Sequence, residues 1–166
     1  MQKNWSIKIL NSFKKLSELD DDLKYIINKY NLPDSRKESN TFETLMRIII
    51  GQQISRKAAE SIYQKLKEKK INLNEFKKSS SEVVYNSLIK IKGIGKWTIN
   101  NYQLFVLEDC DAWPGGDLAV QEAIKSLKNL DIRPDENESN NIAEKWRPFR
   151  GSAALLLWHY YSKKND

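Results

Sequence analysis

One carboxylate in this sequence stands where it could do chemistry. Asp117 follows Gly115 and Gly116 and precedes Leu118–Leu127, a run with helical periodicity, so we predict that it caps this helix. The helix dipole and the first amides favour negative charge at such a position. A fixed anion can stabilise positive charge that develops on a substrate, or orient an attacking water. A purely structural cap is the alternative interpretation, and the two roles are compatible.

A second feature is a glycine-containing turn that lies before Asp117 in the sequence. It separates two helical patterns that open at Ser81 and Lys96, which predicts a helix, a hairpin and a helix. Glycine permits positive φ and close approach of a ligand, and the first amides of the second helix lack intrahelical partners. Such a turn can bind a phosphate. Its central residues are Ile91, Gly93, Ile94 and Gly95.

The composition favours a polyanionic partner. Lys and Arg number 28 against 22 Asp and Glu, a net charge of +6. The lone cysteine, Cys110, excludes an internal disulfide framework and a four-cysteine metal site. Apolar runs are too short for a membrane span, and the N-terminus lacks a signal-peptide core. We therefore expect a soluble intracellular protein with no membrane partner.

Helical periodicity recurs in segments along the chain, and no segment alternates as a strand would. We predict an all-α fold, a compact helical bundle in one domain, 1–166, with N-terminal helices over residues 1–40. Two small lobes are the alternative. One predicted helix buries Phe42, Leu45, Met46, Ile49 and Ile50, and Ser55 caps the next. Lys69–Ser80 is a stretch of a dozen mostly polar residues. The last helix is predicted to begin at Trp146, and the tail from Lys163 to fray.

Four motifs in order give the chain a family resemblance: GQQIS from Gly51, KGIGKWT from Lys92, DAWPGGDLAVQ from Asp111 and WRPFRGSAALLLW from Trp146. Together they resemble the helix-hairpin-helix DNA glycosylase superfamily, and in particular its 3-methyladenine DNA glycosylase II branch. The resemblance covers residues 41–161. The chain departs from the family at Lys69–Ser80, where relatives carry about another pair of helices. That departure implies a shortened member whose bundle is incomplete on one side.

The resemblance implies a role for each motif. Asp117 would be the catalytic carboxylate, with Trp97, Trp113 and Trp158 forming a pocket for the base. Gln52 or Gln53 would fill the gap left by an extruded nucleotide, whereas by composition alone two glutamines in a turn are solvent-exposed. Hairpin carbonyls would hold a structural Na⁺ or K⁺. The DNA-binding residues implied are Gln52, Gln53, Gly93, Ile94, Gly95, Lys96 and Thr98, and the carbonyls are those of Ile89, Ile91 and Ile94.

The activity implied is that of a monofunctional DNA glycosylase, which hydrolyses the N-glycosidic bond of alkylated purines such as 3-methyladenine. Trp97 stands where bifunctional relatives carry a lysine, so no lyase activity is expected. No cofactor is required. The expected partner is double-stranded DNA with a damaged base, bound by a monomer in the cytoplasm beside the nucleoid, or with DNA elsewhere in a cell. A non-catalytic DNA-binding or damage-sensing module is the rival interpretation.

Overall fold

The computed structural model of the chain describes residues 4–52, 54–69 and 71–165. Across these residues it consists of helices and connecting turns with no strand, which confirms the all-α prediction. The helices are α1 (Ile7–Leu19), α2 (Asp21–Tyr30), α3 (Phe42–Ile50), α4 (Arg56–Glu68), α5 (Leu73–Phe76), α6 (Ser81–Leu88), α7 (Lys96–Phe105), α8 (Leu118–Leu127), α9 (Glu136–Ala143) and α10 (Arg150–Asn165), with a 3₁₀ turn at Glu144–Trp146.

The helices cluster into two compact units. The terminal unit comprises Met1–Arg36 and Cys110–Asp166, and the central unit comprises Lys37–Asp109. The single-domain assignment drawn from the sequence stays a prediction. None of the described helices combines the length and the hydropathy that crossing a bilayer requires.

Helix α10 is the core of the terminal unit, where it packs against α8, α2 and α1. Every residue from 151 to 157 is buried, because neighbouring helices surround this segment. Small residues such as Ala153 and Ala154 allow that close approach, and the Ser12 hydroxyl on α1 donates to the Ser152 hydroxyl at 2.5 Å. The other apolar side chains of this core include Ile9, Phe13, Leu16, Leu23, Ile26, Val120, Ala123 and Ile124.

The central unit closes around the hairpin between α6 and α7. Leu45 and Ile49 of α3, with Ile62 and Leu66 of α4, form its core with residues from both hairpin helices. The mostly polar segment Lys69–Ser80 contains α5, whose Leu73 and Phe76 are buried in the same core. These two apolar residues are three positions apart, so they lie on one face of the short helix.

Three expectations drawn from the sequence need correction. Ile50 is 54% exposed, because one position beyond Ile49 turns it about 100° from the buried face of α3. Helix α10 begins at Arg150 rather than at Trp146, since proline at 148 keeps the preceding residue extended. The helix also continues to Asn165, through the tail that was expected to fray.

Candidate functional site

Asp117 caps α8 within the terminal unit, as its sequence context predicts. Its own amide donates to the Pro114 carbonyl at 2.9 Å, which closes the turn before the helix. Its Oδ1 accepts hydrogen bonds from the Val120 amide at 3.0 Å and from Trp158 Nε1 at 2.8 Å. The residue is half-buried. The carboxylate thus accepts from donors on two different helices, in a residue that is only partly buried.

The loop that carries Asp117 is anchored at its other end by α10. Arg150 donates from Nε to Asp111 Oδ1 at 2.9 Å and from Nη2 to Asp111 Oδ2 at 2.7 Å, a two-pronged ion pair. The Ser152 amide also donates to the Cys110 carbonyl at 3.0 Å. Asp111 is therefore an anchor of the loop. Asp109, in the central unit, accepts a hydrogen bond from the Ser81 hydroxyl.

Trp113 lies inside the loop rather than on its surface. It is 7% exposed, its Nε1 donates to Asn140 Oδ1 at 3.0 Å, and its ring meets that of Trp146 edge-on at 5.7 Å. Gly115 is required here, since a Cβ at this position would lie 2.3 Å from Asn140 Oδ1 and 2.6 Å from Trp113 Nε1. The ring thus supports the shape of the loop, and its place in a base pocket stays a prediction.

The hairpin of the central unit is a tight turn with its apolar side chains turned inward. The Ile91 amide donates to the Leu88 carbonyl at 3.0 Å, and the Ile94 amide to the Ile91 carbonyl at 2.9 Å. Ile91 and Ile94 are buried, whereas Gly93 between them is exposed. Gly93 has a φ of 104°, and a Cβ there would lie 2.8 Å from the Ile62 side chain. Glycine is therefore needed at this position for both conformation and space.

The second hairpin helix, α7, starts without a side-chain cap. Its N-cap is Gly95, which has an ordinary φ of −103° and open space where a Cβ would lie. The preceding helix has a serine cap, Ser80. The first amides of an α-helix lack intrahelical acceptors, so an uncapped start that faces open space suits an external anion. Lys96, the first residue of α7, is exposed beside it.

Trp97 and Thr98, which follow Lys96 in α7, are both less exposed than that lysine. The Thr98 side chain is fully buried, and its hydroxyl has no hydrogen-bond partner among the described residues. A contact between Thr98 and DNA stays a prediction, and burial of the side chain leaves it to the main chain. Trp97 is half-buried, and its carbonyl accepts from Asn101 Nδ2 at 2.8 Å. Trp97 belongs to the central unit, whereas Trp113 and Trp158 belong to the terminal unit.

The glutamine turn follows α3. The Gln52 amide donates to the Ile49 carbonyl at 3.2 Å, and its side chain is half-buried, with an Nε2 atom that is buried and has no partner among the described residues. Gln52 is therefore less exposed than composition alone suggests. Gln53 lies outside the described residues.

Side-chain metal ligands do not cluster in the described part of the chain: no group of three or more His, Cys, Asp or Glu is suited to a metal. The predicted cation site uses only main-chain oxygens, those of Ile89, Ile91 and Ile94. One neighbouring carbonyl already receives a cation, since Lys65 Nζ donates to the Lys92 carbonyl at 3.3 Å. The Ile91 carbonyl accepts the Ile94 amide, and the cation site stays a prediction.

Sequence reasoning missed the residues that hold the site together. Arg150 anchors the loop, Asn140 receives the Trp113 indole, and Gln121 Nε2 donates to the Gly115 carbonyl at 2.9 Å. Gln121 is 7% exposed although it lies on a helix with polar neighbours. The signal available in the sequence was a glutamine four residues after a capping aspartate and next to the apolar Val120.

No family model matches the chain. Among curated relatives, it is 34% identical over 85 residues to the alkylbase DNA glycosidase-like protein mag2 of Schizosaccharomyces pombe, covering 51% of this chain and 40% of that protein. It is 25% identical over 190 residues to DNA-3-methyladenine glycosylase 1 of the same yeast, covering 86% and 83%. A DNA-3-methyladenine glycosylase of Bacillus subtilis is 32% identical over 110 residues, covering 66% and 33%. The chain thus spans well under half of the relatives above 30% identity.

Solved structures share the fold. The S. pombe 3-methyladenine DNA glycosylase Mag1, in complex with abasic DNA, superposes with a TM-score of 0.69 at 23% identity, over 89% of this chain and 95% of that one. The 3-methyladenine DNA glycosylase of Archaeoglobus fulgidus gives 0.68 at 21% identity, over 96% and 77%. The chain is therefore similar in sequence to curated DNA-3-methyladenine glycosylases, and it shares the fold of two solved ones.

Proposed function

We propose that this protein is a monofunctional DNA glycosylase of base excision repair that releases alkylated purines such as 3-methyladenine from duplex DNA. The observation that carries the proposal is the Asp117 carboxylate, held by the Val120 amide and the Trp158 indole at the start of α8. Two of the relatives are named DNA-3-methyladenine glycosylases, and one of the similar solved structures is a complex with abasic DNA.

The charge distribution supports DNA as the partner. The central unit, Lys37–Asp109, contains 13 Lys and Arg against 8 Asp and Glu, so it carries a net charge of +5 out of the +6 of the whole chain. The hairpin and the uncapped start of α7 lie in this same unit. Basic surface and a phosphate-binding turn together favour contact with the DNA backbone, which positions a protein without reading sequence.

The chemistry is hydrolysis of one bond. As the C1′–N bond of an extruded nucleotide breaks, its electron pair leaves with the base, and positive charge builds on the sugar. The Asp117 carboxylate stabilises that charge electrostatically, water adds to C1′, and the proton released passes to the carboxylate or to solvent. An alkylated purine that is already cationic leaves as a neutral base, so no strong general acid is needed.

The product expected is an intact strand with an abasic site. A lyase forms a Schiff base through a lysine, whereas Trp97 occupies the corresponding position here and Lys96 is turned about 100° away on the helix. A monovalent cation at the hairpin carbonyls of Ile89, Ile91 and Ile94 would add positive charge next to a bound phosphate.

The test is a gel assay on an end-labelled duplex treated with dimethyl sulfate. Incubation with the protein should produce strand breaks only after alkali, because the abasic product remains joined until then. Breaks without alkali would indicate a lyase. Binding of the methylated duplex with no base release in either lane would reject the enzyme and favour the non-catalytic DNA-binding module.

A further inference from the structure

The Trp158 indole touches Asp117 through its edge, not through its face. Trp158 Nε1 donates to Asp117 Oδ1 at 2.8 Å, across 41 residues of sequence. Stacking on a base uses the faces of an indole, whereas this hydrogen bond uses the N–H on the ring edge. The two roles of Trp158 can therefore be separated chemically.

The second donor defines the orientation of the carboxylate. The Val120 amide donates to Oδ1 at 3.0 Å, and the Trp158 indole donates to the same oxygen from another helix. Rotation of the carboxylate about its Cβ–Cγ bond would carry Oδ1 away from both donors, so the two bonds together restrict that rotation more than the cap alone. Hydrogen bonds to an ionised acceptor are also about twice as strong as neutral ones.

The same helix holds the loop at its other end. Arg150 on the first turn of α10 binds Asp111, and Trp158, eight residues later, binds Asp117. Eight residues of α-helix span about 12 Å. The loop from Asp111 to Asp117 is therefore tied at both ends to one rigid, buried helix.

We propose that Trp158 is a positioning residue, which orients the Asp117 carboxylate for glycosidic bond cleavage through its indole N–H. This inference rests on the proposed function and adds to it a role distinct from holding the base. Arg150 supports the same loop from its far end. A change at Trp158 that keeps the aromatic ring but removes the N–H should therefore slow chemistry.

The variant that separates the roles is Trp158→Phe. It should lower the single-turnover rate of base release by about 10- to 100-fold, the range expected for losing one hydrogen bond to a charged group, while affinity for abasic duplex stays at the wild-type level. Trp5→Phe is the matched control, because Trp5 Nε1 donates at 2.8 Å to the Pro33 carbonyl in the same unit. It should leave the rate unchanged. A wild-type rate in folded Trp158→Phe overturns the proposal.

A double-mutant cycle shows whether Trp158 acts through Asp117. In an Asp117→Asn background, Trp158→Phe should cause little further loss, since there is no charge left to orient. A base-stacking role predicts the same fold-loss in both backgrounds, and that additive result overturns the positioning role.

An NMR measurement covers the case in which Trp158→Phe does not fold. The assigned Trp158 indole proton of wild type should exchange slowly with solvent and should shift when Asp117 is changed to Asn. If the chemical shift of the indole proton is the same in wild type and in Asp117→Asn, the inference is overturned even when the enzyme is active. A wild type that releases no base while this signal responds rejects the proposed function, and the positioning role with it, but leaves the hydrogen bond in place.

Discussion

Two capping aspartates in the terminal unit accept an indole N–H, and they differ in what surrounds them. Asp20 caps α2, accepts Trp146 Nε1 at 2.8 Å, and is paired with Lys145 Nζ at 2.6 Å. Its side chain is 1% exposed. Asp117 caps α8 and accepts Trp158, yet it is half-buried. The same local motif is sealed in one place and open to solvent in the other.

The difference is the one expected between a structural carboxylate and the catalytic carboxylate proposed at Asp117. Burial by itself raises the pKa of Asp20, but hydrogen bonds from Lys145, Trp146 and the Leu23 amide, with the charge of Lys145, hold that pKa below its usual value. Asp20 is thus a sealed anion that stabilises the fold. Access to solvent is what a substrate needs, and it is the property that Asp117 has and Asp20 lacks.

The largest expected effect is on excision. Asp117→Asn keeps a side chain that caps a helix about as well, so the melting temperature and the affinity for abasic duplex should stay near wild type. The single-turnover rate of base release should fall on the order of 10²–10³-fold, since one preorganised charge is lost. A wild-type rate in this variant would make Asp117 a structural cap like Asp20.

The reciprocal change is Asp20→Asn. It removes the anion that pairs with Lys145, whose ammonium is half-exposed and can turn to water, so the loss of stability should be about 1–3 kcal/mol. Urea unfolding measures this loss. The excision rate per folded molecule should not change. If the fully folded Asp20→Asn variant lost excision activity, the roles of Asp20 and Asp117 could not be separated into structure and chemistry.

The pH dependence of stability should also distinguish Asp20. Because its pKa is lowered in the folded protein, its contribution is complete above the ordinary value of 3.8 and is lost as pH falls through the folded pKa. The difference in unfolding free energy between wild type and Asp20→Asn should therefore be constant near neutral pH and shrink below about pH 3.8. A difference that grows on acidification would contradict the assignment.

The smallest expected effect concerns the start of α7, where the N-cap residue is Gly95 and no carboxylate caps the helix. Gly95→Ser would give α7 its own cap, and no heavy atom lies within 4 Å of the new Cβ. Compared with the control Gly95→Ala, stability should rise by about 1 kcal/mol. Affinity for undamaged duplex should fall about two- to fivefold, since the hydroxyl competes with phosphate for the same amides. Equal affinity of the two variants, measured at low salt, would argue against phosphate binding there.

Local patterns were enough for much of the site. The bounds of α8 follow from a glycine pair, a capping aspartate and helical spacing, all within a few residues of one another. The hairpin likewise follows from Gly93 and two isoleucines whose spacing turns both side chains into the core. The short helix α5 was missed because its stability comes from the central core and not from its own polar sequence.

The partners of these residues were decided only by tertiary structure. Trp158 lies 41 residues from Asp117, Arg150 lies 39 from Asp111, and Trp146 lies 126 from Asp20. A sequence shows that an aspartate begins a helix, because capping joins atoms three residues apart. It does not show which indole donates to that aspartate or whether an ammonium covers it, because those contacts depend on how α10 and the 3₁₀ turn before it pack against the rest of the unit.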